Sequence, residues 1–340
     1  MAQRKRWLDV VKGIGIILVI IGHCKRPDII LKYIQAFHMP LFFIVAGYLF
    51  SKKSSFPGLI KRKSKALLKP YLIYGVLNLV IWMIYLAVKK GVNDELFKTG
   101  FRYVIGLVYS RGTWYWMPNC SPIWFLTAMF ISVILFNYIV KFKDLYQYIL
   151  TALSFLAACV ICYTGLFKLP WNVDTALWAL LYMLVGYKLK QIDFQSAVTS
   201  RKALWSVISF AMLVVGSFAA LLNDIEFVSM DSIEMGNVLL MLLSTLLIPI
   251  SLIIFVILFI PENRVLEIYG RNTVIILGTN YLVNKTVYIL WDLFLPSFKT
   301  DYSWIIQCVI QVAVLGVLAF FADIYKKRKS VIKTGQEIKT

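Results

Sequence analysis

The sequence predicts an all-α integral membrane protein: a bundle of about ten transmembrane helices with the N- and C-termini cytoplasmic. Sixty per cent of its 340 residues are apolar, only 16% are charged, and the mean hydropathy is +0.76. A soluble domain averages roughly 45–50% apolar and about 25% charged residues. Apolar segments of about 20 residues recur along the chain, and a helix of that length crosses a hydrocarbon core of ~30 Å.

Ten such segments are the predicted spans. They lie at about 7–23, 33–50, 66–88, 123–140, 147–165, 173–189, 203–222, 236–260, 271–291 and 303–325. The first holds Asp9 and Lys12 and is followed by no small-residue cleavage site, so we expect it to be retained as a helix. One membrane domain at 1–325 therefore accounts for nearly the whole chain. The basic, polar tail at 326–340 is expected to be disordered and cytoplasmic.

The orientation follows from the distribution of basic residues. With the N-terminus inside, the inside segments hold 24 of the 36 Lys and Arg residues. The loop at 223–235 has four acidic residues and no basic one, which favours the outside. The segment at 24–32 contradicts this orientation, because three basic residues lie on its supposed outer side. If that segment is cytoplasmic, the first span cannot serve to pass a chemical group from one side of the membrane to the other.

The net charge of +19 does not indicate a nucleic-acid partner. The basic residues form short clusters between apolar spans, where they set topology and contact anionic lipid headgroups. The cysteines indicate no metal site either: Cys159 and Cys162 form a CxxC motif, but within an apolar span, where two buried thiols are the simpler interpretation. The other three are scattered, at Cys24, Cys120 and Cys308.

The first span carries a polar stripe. Lys12 and His23 are eleven residues apart, about three helical turns, so they share one face some 16 Å apart along the axis. Asp9 is one turn before Lys12 on nearly the same face. The uninterrupted apolar run 14–21 is too short to span alone, so other helices must shelter this one. An interfacial ion pair of Asp9 with Lys12 and a capping role for His23 are the alternatives to a catalytic stripe.

The second histidine, His38, lies in the sequence FHMPLFF. Pro40 permits a kink or an irregular helix start there, which would free backbone polar groups near His38. The ring then either serves in proton transfer or satisfies a freed carbonyl. These are the only two histidines of the chain, so candidates for proton chemistry are few.

The segment at 89–122 is the longest predicted connection outside the membrane. It is rich in Trp, Tyr and Gly. Such rings are typical of an interfacial aromatic belt, and they also stack on the faces of sugars. The sequence leaves both interpretations open.

Several stretches together resemble the membrane-bound acyltransferase 3 family, particularly its fucose 4-O-acetylase-like branch. The most specific is WLDVVKGIGIILVIIGHC followed by FHMPLFFIVAGYLF. KALLKPYLIYG, SPIWFLTAMF, DTALWALLYMLVGYKLK and YGRNTVIILGTNYL follow in the family's order. The resemblance covers about residues 7–325. The family's pattern of a basic residue, ten residues and a histidine falls on Lys12 and His23, with Lys where Arg is usual. Asn280 stands where relatives often carry His.

The resemblance implies an O-acetyltransferase of the cell membrane, multi-pass and bacterial. Acetyl-CoA, or another acyl-CoA, would be the donor co-substrate, with no cofactor bound. The acceptor would be a sugar hydroxyl of a cell-surface or lipid-linked glycan. The alternative class of function is a flippase or exporter of a lipid-linked saccharide, or a membrane scaffold. A histidine on a charged stripe favours the enzyme, because transport does not require it.

The candidate residues divide into three groups. Those for catalysis are His23, Lys12, Asp9 and His38. Those for the acyl-CoA donor are Arg62, Lys65, Lys69 and Tyr71, of which the three basic residues equally fit a plain topology signal. Those for the acceptor are Trp124 and Asn280. Asn280, Tyr71 or the backbone near His38 could also donate to the oxyanion of the transition state.

Overall fold

A computed structural model describes residues 5–52, 55–112, 115–117, 121–165, 168–297, 300 and 302–337, and at 121 and 330–337 the backbone only. The α-helices are α1 (Arg6–His23), α2 (Asp28–Gln35), α3 (His38–Leu49), α4 (Phe56–Lys63), α5 (Lys69–Lys90), α6 (Asp94–Tyr109), α7 (Trp124–Ile139), α8 (Asp144–Thr164), α9 (Val173–Gln191), α10 (Phe194–Ser200), α11 (Lys202–Leu222), α12 (Val238–Phe259), α13 (Arg264–Arg271), α14 (Thr273–Phe294) and α15 (Ser303–Glu337). A π-helical turn, Ser64–Leu68, joins α4 to α5, and 3-10 turns precede α7 and α9.

The predicted all-helical class is confirmed. A helix lies in each of the ten predicted spans, and the described residues contain no strand, only one isolated bridge between Ser229 and Glu234. In this part of the chain, six helical stretches are long and apolar enough to cross a membrane: Asp28–Leu49, Phe56–Lys90, Asp144–Thr164, Lys202–Leu222, Val238–Phe259 and Ser303–Lys329. The chain is therefore a multi-pass membrane protein. The count of ten crossings and the sides of the termini stay predictions.

Two helix boundaries differ from the predicted ones. The predicted span 33–50 consists of two helices, α2 and α3, with a break at Ala36 and Phe37. Pro40 then lies in the first turn of α3, where a missing N–H costs no helical hydrogen bond. At the other end of the chain, α15 continues through Glu337, past the predicted boundary at residue 325.

Four helices lie outside the ten predicted spans: α4, α6, α10 and α13. Within the connection 89–122, α6 begins after Asn93, whose side chain accepts a hydrogen bond from the N–H of Leu96 at 2.9 Å. It folds back along α5, since Tyr71 of α5 reaches the carbonyl of Leu107 at 2.6 Å. The Asn cap followed by Asp94 and Glu95 is a helix-start signal that the sequence analysis missed.

The described chain divides into two compact units. Unit 1 comprises residues 1–27 and 255–340, and unit 2 comprises residues 28–254. His23 lies in unit 1 and His38 in unit 2, so the candidate residues are distributed over both.

In unit 1, α1 and α13 cross with their backbones in contact. A Cβ atom added at Gly13 of α1 would overlap the carbonyl of Leu266 in α13. One added at Gly270 of α13 would overlap the carbonyl of Asp9 in α1. Tyr269 then extends to α15, where its hydroxyl donates to the carbonyl of Val312 at 2.7 Å. Small residues at such crossings allow close packing of helices in membranes.

In unit 2, α3, α7 and α9 run side by side in the same direction. Gly47 of α3 lies against the backbone of Met183 in α9, and nearby Lys190 of α9 donates to the carbonyl of Phe50 at 2.7 Å. Phe50 is also in edge contact with Phe136 of α7, with ring centroids 5.2 Å apart. The N-terminal ends of these helices therefore lie at one end of unit 2.

Candidate active site

The polar stripe of α1 is present and largely buried. Lys12 Nζ lies 2.7 Å from Asp9 Oδ1, and Asp9 is only 4% exposed. The ion pair that was the alternative to a catalytic stripe is thus present, and its position at the membrane interface stays a prediction. Residues on every side of α1 are buried, as expected for a charged helix that other helices shelter.

The start of α1 is bound to α13 by charge. Arg6 donates from Nε to Glu267 Oε1 at 2.9 Å and also pairs with Glu262. The hydrogen bond to Glu267 and the charges of both glutamates raise the pKa of Arg6, so its guanidinium stays protonated. Glu267 is 6% exposed and lies on α13, a helix outside the ten predicted spans.

His23 is the last residue of α1 and is half-buried. Its carbonyl oxygen accepts a hydrogen bond from Asn284 Nδ2 of α14 at 2.8 Å. Lys12 and His23 belong to one unbroken helix, so about 16 Å separates their backbones along the axis. The two side chains are therefore too far apart to contact the same group of atoms.

Asn280 of α14 lies one helical turn before Asn284. It is fully buried, and neither atom of its amide has a hydrogen-bond partner among the described residues. A buried amide without a partner costs ~1–3 kcal/mol. Such a group is suited to a polar atom of a ligand or to a water molecule.

His38 is the first residue of α3 and is 5% exposed. Its Nδ1 lies 2.8 Å from the carbonyl oxygen of Ile34 at the end of α2. At the break between α2 and α3 this carbonyl accepts from the ring and also from the N–H of Phe37 at 3.2 Å, so a contact of His38 with a carbonyl, one of the two predicted interpretations, is present. A carbonyl only accepts, so Nδ1 carries the proton, and in the neutral ring Nε2 keeps a lone pair that can take a proton.

The candidate residues for acyl-CoA separate into two environments. Arg62, Lys65 and Lys69 are exposed along the continuous stretch of α4, the π-turn and α5. Tyr71 is 3% exposed, and its hydroxyl donates to the carbonyl of Leu107. The three cations are accessible to a phosphate group, whereas the hydroxyl of Tyr71 already serves the contact of α5 with α6.

Trp124 begins α7 next to a buried polar cluster that the sequence analysis did not find. Its carbonyl accepts from Thr127 Oγ1 at 2.8 Å and from Asn172 Nδ2 at 3.4 Å. Asn172 Oδ1 in turn accepts from Arg111 Nη1 at 3.0 Å, and Arg111 forms an ion pair with Asp174. The side chains of Arg111 and Asp174 are 1% and 0% exposed. The partners are up to 63 residues apart, so no local pattern reveals them.

Backbone strain accompanies this cluster. Ser110, Trp171 and Asn172 have φ angles of 59°, 56° and 55°, a region that favours glycine. They are three of the five non-glycine residues with positive φ in the described part of the chain. Strain of this kind concentrates at functional sites. His38, Trp124 and this cluster all lie at the N-terminal ends of α3, α7 and α9, hence at the same end of unit 2.

The described residues contain no group of three or more His, Cys, Asp or Glu side chains placed to hold a metal ion. Cys24 and Cys308 are buried thiols, and Cys159 and Cys162 are half-buried thiols. Cys120 lies outside the described residues.

Comparison with known proteins yields one family and one distant relative. The acyltransferase 3 family, described as an acyltransferase domain, matches residues 5–322. The Nodulation protein NolL of Mesorhizobium japonicum is 32% identical over 161 residues. That similarity covers 42% of this chain and 38% of the relative, so this chain spans well under half of the relative's length. No solved structure matches the chain.

Proposed function

The chain belongs to the acyltransferase 3 family, and we propose that this membrane acyltransferase is an O-acetyltransferase acting on a glycan. It transfers an acetyl group from acetyl-CoA to a sugar hydroxyl of a cell-surface or lipid-linked glycan. The observation that carries the proposal is the placement of His23 at the end of the buried, charged helix α1. The proposed location is a bacterial plasma membrane, in line with the bacterial source of the relative.

His23 is the proposed general base. Its imidazole takes the proton of the sugar hydroxyl while the hydroxyl oxygen attacks the thioester carbonyl of acetyl-CoA. The tetrahedral intermediate collapses with cleavage of the carbon–sulfur bond, and the leaving thiolate of CoA receives the proton from the imidazolium. An acetyl ester and free CoA result. The proposed transfer is direct, without an acyl-enzyme on Ser or Cys.

Lys12 and Asp9 act on the donor at a distance from the reacting atoms. The pantetheine arm of CoA is long, and a path of about 16 Å along α1 from Lys12 to His23 suits it. Lys12 is a point charge, since Lys does not bind phosphate in the bidentate manner of Arg. Arg62, Lys65 and Lys69 are the proposed phosphate contacts, supported by their positive charge and exposure.

The acceptor assignment rests on Trp124, Asn280 and His38. Trp124 and the aromatic residues of the segment 89–122 suit the apolar faces of a sugar ring. Asn280 contributes a buried amide without a partner in the described structure. Nε2 of His38 keeps a lone pair when Nδ1 donates to Ile34, which suits a contact with an acceptor hydroxyl.

The test is acetyl transfer by the purified protein. Detergent-solubilised protein is incubated with acetyl-CoA and candidate glycans, and both free CoA and a 42-dalton gain in glycan mass, that of an acetyl group, are measured. We expect both signals from the wild type and neither from His23→Ala, with both proteins monodisperse. Acetyl transfer by His23→Ala at the wild-type rate would eliminate His23 as the base. Absence of CoA release with every acceptor would favour an exporter.

A further inference from the structure

The end of α1 is held by a buried amide from a neighbouring helix. Asn284 of α14 donates from Nδ2 to the carbonyl oxygen of His23 at 2.8 Å. The same Nδ2 donates to Oε1 of Gln311 in α15 at 3.0 Å. Asn284 and Gln311 are 6% and 0% exposed. Three helices of unit 1 therefore meet in hydrogen bonds at His23.

The hydrogen bond from Asn284 supplies a partner that the last carbonyl groups of a helix lack within the helix itself. The last carbonyls of a helix lack partners within it, and an apolar interior supplies no water for them. Backbone beyond His23 is extended at Cys24, so α1 itself offers no further N–H. Asn284 satisfies the carbonyl of His23 and thereby fixes the point from which the imidazole projects.

Gln311 of α15 contacts Cys24, the residue that follows His23. Its Oε1 accepts from Cys24 Sγ at 3.4 Å in addition to Asn284 Nδ2. Cys24 directly follows His23, and its thiol also lies 3.3 Å from the carbonyl of Ile20. Oε1 of Gln311 thus binds both Asn284, which holds the carbonyl of His23, and Cys24, the next residue in the chain.

We infer that Asn284 and Gln311 are positioning residues that hold His23 in place for proton transfer. The inference rests on the proposed function, in which His23 is the base. Neither amide is assigned to the substrate: both act through the backbone and side chain at the end of α1. Displacement of a reacting group by about 1 Å can cost on the order of a hundredfold in rate. A loss of this support should therefore lower turnover more than donor binding.

The first experiment compares kcat with KM for acetyl-CoA. Asn284→Asp keeps the shape of the side chain but removes both N–H donors, and Asn284→Gln keeps an N–H donor. We expect Asn284→Asp and Gln311→Leu to lower kcat by roughly tenfold to a hundredfold with little change in KM. Asn284→Gln should recover part of the loss. Gln307→Leu is the matched control, because it removes a buried amide one turn away on α15 and should leave kcat unchanged.

The second experiment separates positioning from general stability. The protein has two histidines, so ¹⁵N-histidine labelling gives one imidazole signal set for each, and His23→Ala assigns them. We expect Asn284→Asp to move the signals of His23 and to leave those of His38 in place. If Asn284→Asp does not fold, Gln311→Leu serves in both measurements.

The outcomes distinguish a failure of the positioning role from a failure of His23 as the general base. An inactive His23→Ala together with a fully active Asn284→Asp, or unmoved His23 signals, would overturn the positioning role alone. Equal shifts of both histidines would also overturn it, because they indicate a general change of structure. An active His23→Ala would instead overturn the proposed base.

Discussion

The guanidinium of Arg111 binds the carboxylate of Asp174 through two hydrogen bonds, of 2.9 Å from Nη1 to Oδ1 and 2.5 Å from Nη2 to Oδ2. Both side chains are buried, and Asp174 also accepts from the backbone N–H of Thr175 at 2.8 Å. The pair joins the residues after α6 to the start of α9. Desolvation opposes such a pair, so its removal as a whole costs less than the loss of one partner.

We therefore expect Asp174→Asn to destabilise the protein by ~3–5 kcal/mol, because it leaves the buried guanidinium of Arg111 without a counter-charge. Thermal unfolding in detergent measures this as a lower Tm. The control is Asp144→Asn, which breaks the pair of Lys188 with an Asp144 that is 69% exposed. The control should leave Tm unchanged within error. Equal losses in the two variants would contradict the burial argument.

The crossing of α1 and α13 should not tolerate a methyl group. Gly270→Ala places its Cβ on the carbonyl of Asp9, so α13 must move away from the helix that bears His23. We expect lower Tm and loss of acetyl transfer. Gly100→Ala is the control, since its Cβ would meet only the flexible end of Met83 at 2.8 Å. An active Gly270→Ala protein would show that the spacing of these helices does not control the site.

The two roles of His38 can be separated by substitution. His38→Leu removes one of two hydrogen bonds to the carbonyl of Ile34, since the N–H of Phe37 still donates at 3.2 Å, and should cost ~0.5–1.5 kcal/mol. His38→Asn restores a donor near Nδ1 but supplies no basic nitrogen at Nε2. We expect His38→Asn to recover the Tm and not the acetyl transfer. Full activity of His38→Asn would reduce His38 to a cap for the freed carbonyl.

Lys12 should act through its charge. Lys12→Arg keeps the charge beside Asp9, and we expect it to raise KM for acetyl-CoA less than Lys12→Ala does. Lys12→Ala also removes the cation beside the buried carboxylate of Asp9, so the double variant Asp9→Asn/Lys12→Met is the stability control. The double variant should fold and still bind the donor weakly. Equal KM values for Lys12→Arg and Lys12→Ala would argue against a charge role.

The basic residues before α5 should recognise the phosphates of CoA. We expect the triple variant Arg62→Ala/Lys65→Ala/Lys69→Ala to raise KM for acetyl-CoA but not for acetyl-pantetheine, which lacks those phosphates. The difference should shrink at high salt, because exposed charges are screened. Lys98→Ala removes an exposed charge from α6 and serves as the control. If KM rises equally for acetyl-CoA and acetyl-pantetheine, these residues do not bind the phosphates, and their charges serve only to set the membrane topology.

Local patterns were sufficient for a helix in each of the ten apolar segments and for the stripe on α1. Hydropathy and helical spacing are properties of neighbouring residues, so the ten apolar helices and the pair of Asp9 with Lys12 could be predicted from them. The cap at Asn93 was equally local and would have revealed α6. The break before His38 was indicated by Pro40, although the identity of the carbonyl it frees was not.

By itself, the sequence determined the class of this protein and its family: the apolar segments require helices in lipid, and the order of motifs along α1 and α3 identifies the acyltransferase. Only the tertiary structure decided which distant groups meet. Asn284 reaches the carbonyl of His23 across 261 residues, and Arg111 reaches Asp174 across 63. Such contacts depend on which helices are neighbours and on how far each is displaced along its axis relative to the other. Close backbone crossings such as Gly13 against Leu266 fix the neighbour and the displacement. The spacing of residues along the chain does not determine how distant helices pack against one another.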